Sequence, residues 1–251
     1  IWGCFYTKNT EFGTNISSGY RAAYSSSNLP RGQWYHFAVV VSGTNLYAYL
    51  NGSRVASGTA TTANYSASLL IGRLNEGSDG YQAPFNGYIY GFRWQRGVAL
   101  YTDSTYTVPT SPPTITSNTV FLLSGKEIPV ADYTGKNNLE TVNTSRSSNV
   151  VSKFVQGSFF FDGSSGNMTI PYTPAFSFGT GDFTVEGWFY FLNTSTAMVP
   201  IIYFGDGANG GSVWSGWGLR YQGSDGSNQI TWNRYDGTDY QYTTSGATIS
   251  Q

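Results

Sequence analysis

The carboxylates and the single histidine are the residues of this sequence that could support acid–base chemistry. Hydrolysis of a glycosidic bond needs two carboxyl groups that converge across a cleft, one as the acid and the other as the nucleophile or base. The sequence contains five glutamates, scattered singly along the chain: Glu11, Glu76, Glu127, Glu140 and Glu186. Glu186 alternates with aromatic and β-branched residues in a strand-like segment. We therefore predict no catalytic residues and a structural role for Glu186.

His36 is the only histidine of the chain, so no histidine cluster can bind zinc and a Ser-His-Asp set would have a single possible base. It follows Trp34 by two residues, which places both rings on the same face of a strand. We expect a half-buried imidazole with a backbone or hydroxyl partner, and a functional role is the alternative.

Two segments rich in oxygen donors are candidates for binding calcium. Ca²⁺ takes roughly six to eight oxygens from carboxylates, amides and backbone carbonyls. The first segment contains Asn75, Glu76 and Asp79, and the second contains Asp206. Neither has the spacing of an EF-hand loop, and Asp, Asn and Gly also form ordinary turns. Calcium is therefore the candidate cofactor, and turn formation is the alternative.

Two aromatic segments are candidates for binding a sugar. Aromatic faces can stack on the apolar faces of pyranose rings while neighbouring amides and carboxylates supply hydrogen bonds. The candidates are Trp214 and Trp217 in one segment, and Trp232 and Tyr235 in the other. Aromatic residues in strands also commonly fill the core, which is the alternative for all four.

The composition is typical of a β-protein. Only 11% of the 251 residues are charged, against about 25% in average globular proteins, while 17% are aromatic and 31 are glycine. The net charge of −1 provides no basic field for nucleic acid. Cys4 is the only cysteine, which excludes an intrachain disulfide. No apolar run reaches the length of about 18 residues that a membrane span needs, so we expect no membrane insertion.

The pattern of aromatic and β-branched runs interrupted by turn residues predicts short strands separated by turns. Asn51-Gly52 is flanked by strand-like residues and predicts a two-residue hairpin, because both residues tolerate the positive φ of a type I′ turn. Residues 107–118 contain three prolines and predict an extended connector. We expect no amphipathic helix longer than about two turns. The fold class is therefore all-β.

Two groups of motifs resemble parts of a laminin G-like domain of the concanavalin A-like lectin/glucanase superfamily. Those that resemble its second half are Trp34–Val41, Leu46–Gly52, Leu70–Arg73, Phe85–Ile89 and Gly97–Tyr101. Those that resemble its first half are Phe159–Gly163, Ile170-Pro171 and Phe176–Trp188. The sequences of these motifs are similar to those of tandem laminin G-like domains in bacteriophage tail and fibre proteins. The resemblance implies an antiparallel jelly-roll β-sandwich.

The order of the motifs is reversed relative to that family. We assign residues 1–106 to the second half of a laminin G-like sandwich, 107–118 to the connector and 119–251 to a first half. The sequence is then either a window of a tandem array or a permuted or split sandwich in which both halves form one composite domain. We favour the composite domain. It predicts a core shared by the strands around 183–191 and 34–41, Ile1 and Gln251 close together or joined through a neighbouring copy, and Trp34 at the sandwich centre.

The resemblance also indicates a function. It indicates a non-enzymatic structural or adhesion module of a virion or extracellular fibre, which contacts surface glycans or neighbouring subunits. Such a module would work as an oligomer or in a tandem array, without nucleic acid. The alternatives are a secreted glucanase-like enzyme and a purely architectural filament subunit. The enzyme is disfavoured because this sequence lacks the Glu-x-Asp-x-x-Glu spacing that glucanases of the superfamily carry on one strand face.

Overall fold

A computed structural model describes residues 27–60, 68–72, 84–125, 130–142, 146–148, 150–154, 157–176, 179, 181–193, 198–205, 215–222, 229–236 and 240–250. In this part of the chain the strands are β1 (Ser27–Pro30), β2 (Trp34–Ser42), β3 (Asn45–Leu50), β4 (Ser53–Thr59), β5 (Leu69–Ile71), β6 (Asn86–Arg96), β7 (Thr119–Leu123), β8 (Glu140–Val142), β9 (Arg146–Ser148), β10 (Ser158–Asp162), β11 (Asn167–Ile170), β12 (Phe183–Phe191), β13 (Met198–Gly205), β14 (Ser215–Gln222), β15 (Gln229–Asp236) and β16 (Tyr240–Ser250). A 3-10 turn spans Pro174–Phe176.

The strands form two eight-stranded sheets packed face to face. Sheet A has the order β1-β16-β15-β14-β13-β5-β11-β8. Sheet B has the order β4-β3-β2-β12-β6-β10-β9, and β7 also pairs with β6. The pairs are antiparallel except that β1 runs parallel to β16. The architecture is the all-β sandwich that the sequence predicts. No helix of the described residues is long and apolar enough to cross a membrane.

The two halves of the chain interleave in both sheets. In sheet B, β12 lies between β2 and β6, and β6 lies between β12 and β10. In sheet A, β5 from the first half lies between β13 and β11 from the second. Val39 of β2 stands directly opposite Val185 of β12, and both belong to one hydrophobic core. The described strands therefore build one composite sandwich. Ile1 and Gln251 lie outside the described residues.

Alternation along the strands divides the side chains of sheet B between an inner and an outer face. On β12, Val185 and Phe189 point into the core with Val39 and Phe37 of β2. The intervening positions, which include Glu186 and Trp188, form the outer face. Most of them are nevertheless buried, because other segments of the chain cover much of that face. A strand buried on both faces is apolar along nearly its whole length, as β12 is.

The hairpin between β3 and β4 forms where the Asn-Gly signal predicts it. Asn51 has φ of 48° and Gly52 has φ of 81°, the left-handed conformations of a type I′ turn. The turn is also a packing site, because a Cβ on Gly52 would stand 2.3 Å from the carbonyl oxygen of Tyr106. The prediction that Trp34 lies at the sandwich centre is wrong. Trp34 is half-buried on the outer face, and Tyr35 and Phe37 of the same strand occupy the core.

The connector 107–118 contains no strand and lies across the outer face of sheet B. The Arg93 guanidinium donates to the Thr114 carbonyl at 2.9 Å, and the Gln95 amide donates to the Thr116 hydroxyl at 3.0 Å. Pro113 packs against Gly91, whose positive φ of 61° and missing Cβ allow that approach. The connector thus covers part of the outer face.

Candidate functional site

Glu186 is the centre of a buried polar cluster on the outer face of sheet B. The Arg93 guanidinium donates to Glu186 Oε1 through Nε at 2.8 Å and also through Nη2. The Tyr101 hydroxyl donates to Oε2 at 2.6 Å, and His36 Nε2 lies 3.5 Å from the same oxygen. Glu186 is 3% exposed and His36 2%. Strands β2, β6 and β12 and the segment after β6 therefore meet at one carboxylate.

The surroundings of Glu186 keep it ionised. Burial alone would raise the pKa of this carboxyl, but the interaction with His36 and the positive charge of Arg93 outweigh burial and lower the pKa to about 2. Burial and the neighbouring carboxylate raise the pKa of Tyr101. Glu186 is thus a stable anion, and Tyr101 is a neutral phenol that donates a hydrogen bond to it.

Three tyrosines hold the segment after β6 on the sheet. His36 Nδ1 and the Tyr106 hydroxyl share a hydrogen bond of 2.7 Å, and the Tyr106 ring stacks on Tyr101 with 3.6 Å between centroids. The Tyr49 hydroxyl donates to the carbonyls of Tyr101 and Asp103. The hydroxyl partner expected for His36 is therefore Tyr106, but the imidazole is fully buried rather than half-buried as predicted. This cluster fastens the covering segment to the sheet.

A row of four aromatic side chains crosses the same face closer to one end of the strands. Trp34, Tyr190, Tyr88 and Phe160 come from β2, β12, β6 and β10 and are direct cross-strand partners in that order. Successive ring centroids are 5.5, 5.7 and 5.1 Å apart. Tyr88 is 7% exposed, and the other three rings are half-buried. We call these four residues the aromatic row.

Different surroundings border the aromatic row on its two sides. On one side, Lys153 Nζ lies 3.8 Å from the Trp188 ring centroid, and Phe154 packs on Trp188 and Tyr90. On the other side, two residues along each strand, Asn86 stands opposite Asp162. Both of these polar side chains are half-buried. The row therefore runs between Lys153 and Phe154, which cover Trp188, and a polar margin that begins with Asn86 and Asp162.

Further polar groups extend the margin at its β2 end. Arg31 donates to the side chain of Asn193 at 3.3 Å, and both residues are exposed. Leu192, which lies between Asn193 and the end of β12, is 41% exposed. Amide, guanidinium and carboxylate groups thus lie beside exposed apolar surface, the combination found in sites for small polar ligands.

The structure places two of the predicted sugar-binding residues in the core. Trp217 is 0% exposed and Trp232 is 1% exposed, and their rings stack with centroids 4.6 Å apart. A glycan cannot reach rings so enclosed, so these two residues serve packing between the sheets. Tyr235 pairs with Tyr240 in the β15–β16 ladder, and Trp214 lies outside the described residues.

The predicted calcium ligands Asn75, Glu76, Asp79 and Asp206 all lie outside the described residues, so calcium stays a prediction. Within the described part of the chain, no group of three or more His, Cys, Asp or Glu side chains could hold a metal ion. Asp132 illustrates how a described loop carboxylate is used: its oxygens accept from the backbone of Leu122, Thr134 and Asn137. Such a carboxylate stabilises a turn.

Sequence reasoning did not find the aromatic row or the partners of Glu186. Trp34 and Tyr190 are 156 positions apart in the numbering of the chain, and only the β2–β12 register brings them together. The only sequence signal for the row was local, because aromatic residues such as Trp188 and Tyr190 alternate along one strand. That signal does not tell which face of the sheet is covered.

Comparison with known families agrees with this architecture. A family model of the laminin G type, described as the concanavalin A-like lectin/glucanases superfamily, matches residues 2–100. A search of curated proteins found no match. The matched range contains strands β1 to β6, including the Asn-Gly hairpin and the β2 strand that pairs with β12. The match over residues 2–100 supports a laminin G-like domain, and the two-sheet sandwich is consistent with the concanavalin A-like superfamily.

Proposed function

We propose that this chain is a non-enzymatic adhesion module of a virion or extracellular fibre, which binds surface glycans on the aromatic row. A laminin G-like domain fits a carbohydrate-binding or adhesion module. The observation that carries the proposal is the row itself: three half-buried rings from different strands, aligned across the outer face. Monomeric proteins normally keep such apolar patches small unless they serve an interaction.

The chemistry of the row suits a sugar. The axial C–H groups of a pyranose pack on aromatic faces, while its hydroxyls need donors and acceptors at the edge of the ring. The polar margin offers both, through the Asn86 amide, the Asp162 carboxylate and the Arg31 guanidinium. The sheet fixes these positions before binding, which reduces the entropy cost of association.

The state of Glu186 supports a role without catalysis. A general acid for glycoside hydrolysis needs a raised pKa and access to the leaving-group oxygen. Glu186 has a pKa lowered to about 2 and is enclosed by Arg93, Tyr101 and His36. Placement in a virion or extracellular fibre rests on the resemblance of the motifs to those of laminin G-like domains in bacteriophage tail and fibre proteins.

Replacing Tyr190 by alanine should weaken glycan binding at least about tenfold, equivalent to about 1.4 kcal/mol. Tyr190 is the row residue with ring contacts to both Trp34 and Tyr88. The measurement is an array of defined oligosaccharides probed with the wild type and with Tyr190→Ala. Tyr133→Ala is the matched control, because Tyr133 is 48% exposed and lies outside the row. A sample treated with EDTA on the same array tests the calcium prediction.

Several outcomes would contradict the proposal. If the wild type binds no glycan, the architectural filament becomes the better interpretation. If Tyr190→Ala instead dissociates an oligomer in sedimentation experiments, the row contacts a neighbouring subunit. Equal losses in Tyr190→Ala and Tyr133→Ala would show that the array signal does not come from the row. Turnover of β-glucans by the wild type would favour the glucanase-like enzyme.

A further inference from the structure

Tyr106, His36 and Glu186 form a chain of proton donors and acceptors under the segment after β6. The Tyr106 hydroxyl lies 2.7 Å from His36 Nδ1, and His36 Nε2 lies 3.5 Å from Glu186 Oε2. An ionised carboxylate can only accept, so Glu186 directs the imidazole proton to Nε2 and leaves Nδ1 as an acceptor. The phenolic proton of Tyr106 therefore points at a base, and the hydrogen bond to that base is already formed.

The surroundings of Tyr106 oppose ionisation of its phenol. Burial raises the pKa of Tyr106 above its ordinary value, and the nearby Tyr101 and Glu186 raise it further. Loss of the proton alone would leave a buried phenolate. Loss of an electron together with the proton instead leaves a neutral ring, and the positive charge formed on His36 faces the Glu186 carboxylate. The site thus favours the coupled loss of an electron and a proton.

Tyr106 differs from the two tyrosines that pack on it in the partner of its hydroxyl group. The Tyr101 hydroxyl donates to Glu186, whose pKa of about 2 makes it a poor proton acceptor. The Tyr49 hydroxyl donates to two backbone carbonyls, which are weaker bases still. An imidazole nitrogen is a stronger base than either. A positive charge shared by the three rings would therefore come to rest at Tyr106, where the proton can leave.

Contacting tyrosine rings connect Tyr106 with the protein surface. The ring centroids are 6.4 Å apart between the half-buried Tyr47 and the buried Tyr49, and 5.2 Å apart between Tyr49 and Tyr106. Electrons cross such short gaps between aromatic rings readily. The Arg54 guanidinium lies 4.7 Å from the Tyr47 centroid and disfavours a positive charge on that ring. The Glu186 carboxylate, beyond Tyr49, has the opposite effect. An oxidising equivalent that arrives at Tyr47 would therefore move inwards.

The structure also favours a long lifetime for a radical at Tyr106. Its ring stacks on Tyr101 with 3.6 Å between centroids and 7° between planes, which lets both rings share the unpaired electron. The Tyr106 amide donates to the Gly52 carbonyl at 2.7 Å, so the backbone holds the ring in place. His36 is 2% exposed, which keeps the transferred proton away from solvent. The proton then stays available for the return of an electron.

We propose that Tyr106 is a redox-active tyrosine, oxidised through Tyr47 and Tyr49 with transfer of its phenolic proton to His36. One electron passes to an outer-sphere oxidant, a small radical or a metal complex in a high oxidation state, which that electron reduces. The O–H bond of Tyr106 breaks and an N–H bond forms at Nδ1, which yields a neutral tyrosyl radical and an imidazolium. One electron from a reductant such as ascorbate, with the same proton, restores the phenol. This function is separate from glycan binding, and either proposal can fail alone.

The test is laser flash photolysis of the full chain with a ruthenium tris-bipyridine complex and a cobalt(III) electron acceptor, which together produce ruthenium(III) as the oxidant. Electron paramagnetic resonance and transient absorption should detect a neutral tyrosyl radical. Its lifetime should be at least about tenfold longer in the wild type than in Tyr106→Phe, because the variant lacks the hydrogen bond to His36. Tyr133→Phe is the matched control at an exposed position and should leave the lifetime unchanged. Deuterated water should slow formation of the radical in the wild type, because the proton moves with the electron.

Other results would overturn the proposal. A radical that is equally long-lived in Tyr106→Phe would show that another residue holds it. Loss of the radical in Tyr101→Phe, which keeps the stacked ring, together with its survival in Tyr106→Phe would assign the site to Tyr101. If circular dichroism shows that Tyr106→Phe does not fold, the deuterium effect in the wild type decides, and its absence contradicts the proposal. The glycan array gives its answer independently of these experiments.

Discussion

Replacing Trp217 by alanine should lower the free energy of unfolding by roughly 3–5 kcal/mol, the range for a buried large aromatic side chain. Trp217 is fully buried between the sheets, where its ring stacks on Trp232 and meets Trp94 at 4.9 Å between centroids. Deleting it removes the contacts of both neighbours and leaves a cavity that rigid strands cannot close. Chemical denaturation followed by circular dichroism measures the loss.

Trp34→Ala is the control for this prediction, because it removes the same side chain from the outer face. Trp34 is half-buried, so the variant should lose only about 1–2 kcal/mol. Equal losses in both variants would contradict the assignment of Trp217 to the core and of Trp34 to the surface. The same pair separates packing from binding, since Trp34→Ala should weaken glycan binding.

Replacing Glu186 by alanine should lower the free energy of unfolding by about 3–5 kcal/mol, as expected when one partner of a buried ion pair is removed. The change leaves the Arg93 guanidinium, which is 11% exposed, without its carboxylate and leaves the Tyr101 hydroxyl without its acceptor. Glu186→Gln should lose less, because the amide oxygen can still accept. Glu140→Ala is the control at an exposed position and should change stability by at most about 0.5 kcal/mol.

The stability that ionised Glu186 provides should depend on pH. Its folded pKa of about 2 is below the ordinary value of 4.5, so the contribution is fully present above about pH 4.5 and disappears as the pH falls towards 2. The size is on the order of 3 kcal/mol. Denaturation of the wild type and of Glu186→Gln across this range should show a difference that shrinks in acid. A difference that is the same at pH 7 and pH 2.5 would contradict the ionised network.

Local signals in the sequence predicted the strands better than their partners. The Asn51-Gly52 turn was predictable because positive φ is a property of the two residues themselves. The insertion of β12 between β2 and β6 depends on contacts between positions far apart in the chain. The resemblance to a laminin G-like domain indicated the composite sandwich, but no local pattern predicts the parallel pairing of β1 with β16.

The proposed binding surface was harder to predict than the fold. Trp232 and Trp34 look alike in the sequence, since each stands in a strand among other aromatic and polar residues. The structure places Trp232 in the core and Trp34 on the outer face. The difference arises from which sheet faces are covered, and the coverage comes from the connector and from Lys153 and Phe154. A period of two along a strand identifies two faces without saying which one is exposed.

The pairing of β2 with β12 within one chain can be tested by an engineered disulfide, because the aromatic row exists only if the two halves meet there. Val39 and Val185 are direct cross-strand partners, at a separation suited to a disulfide. In a Cys4→Ser background, Val39→Cys with Val185→Cys should oxidise to a bond that peptide mass spectrometry finds within monomeric chains. Val39→Cys with Val120→Cys, three strands away in sheet B, should not. Failure of the first pair to form, or its formation only between two chains, would contradict the composite sandwich and the binding surface proposed on it.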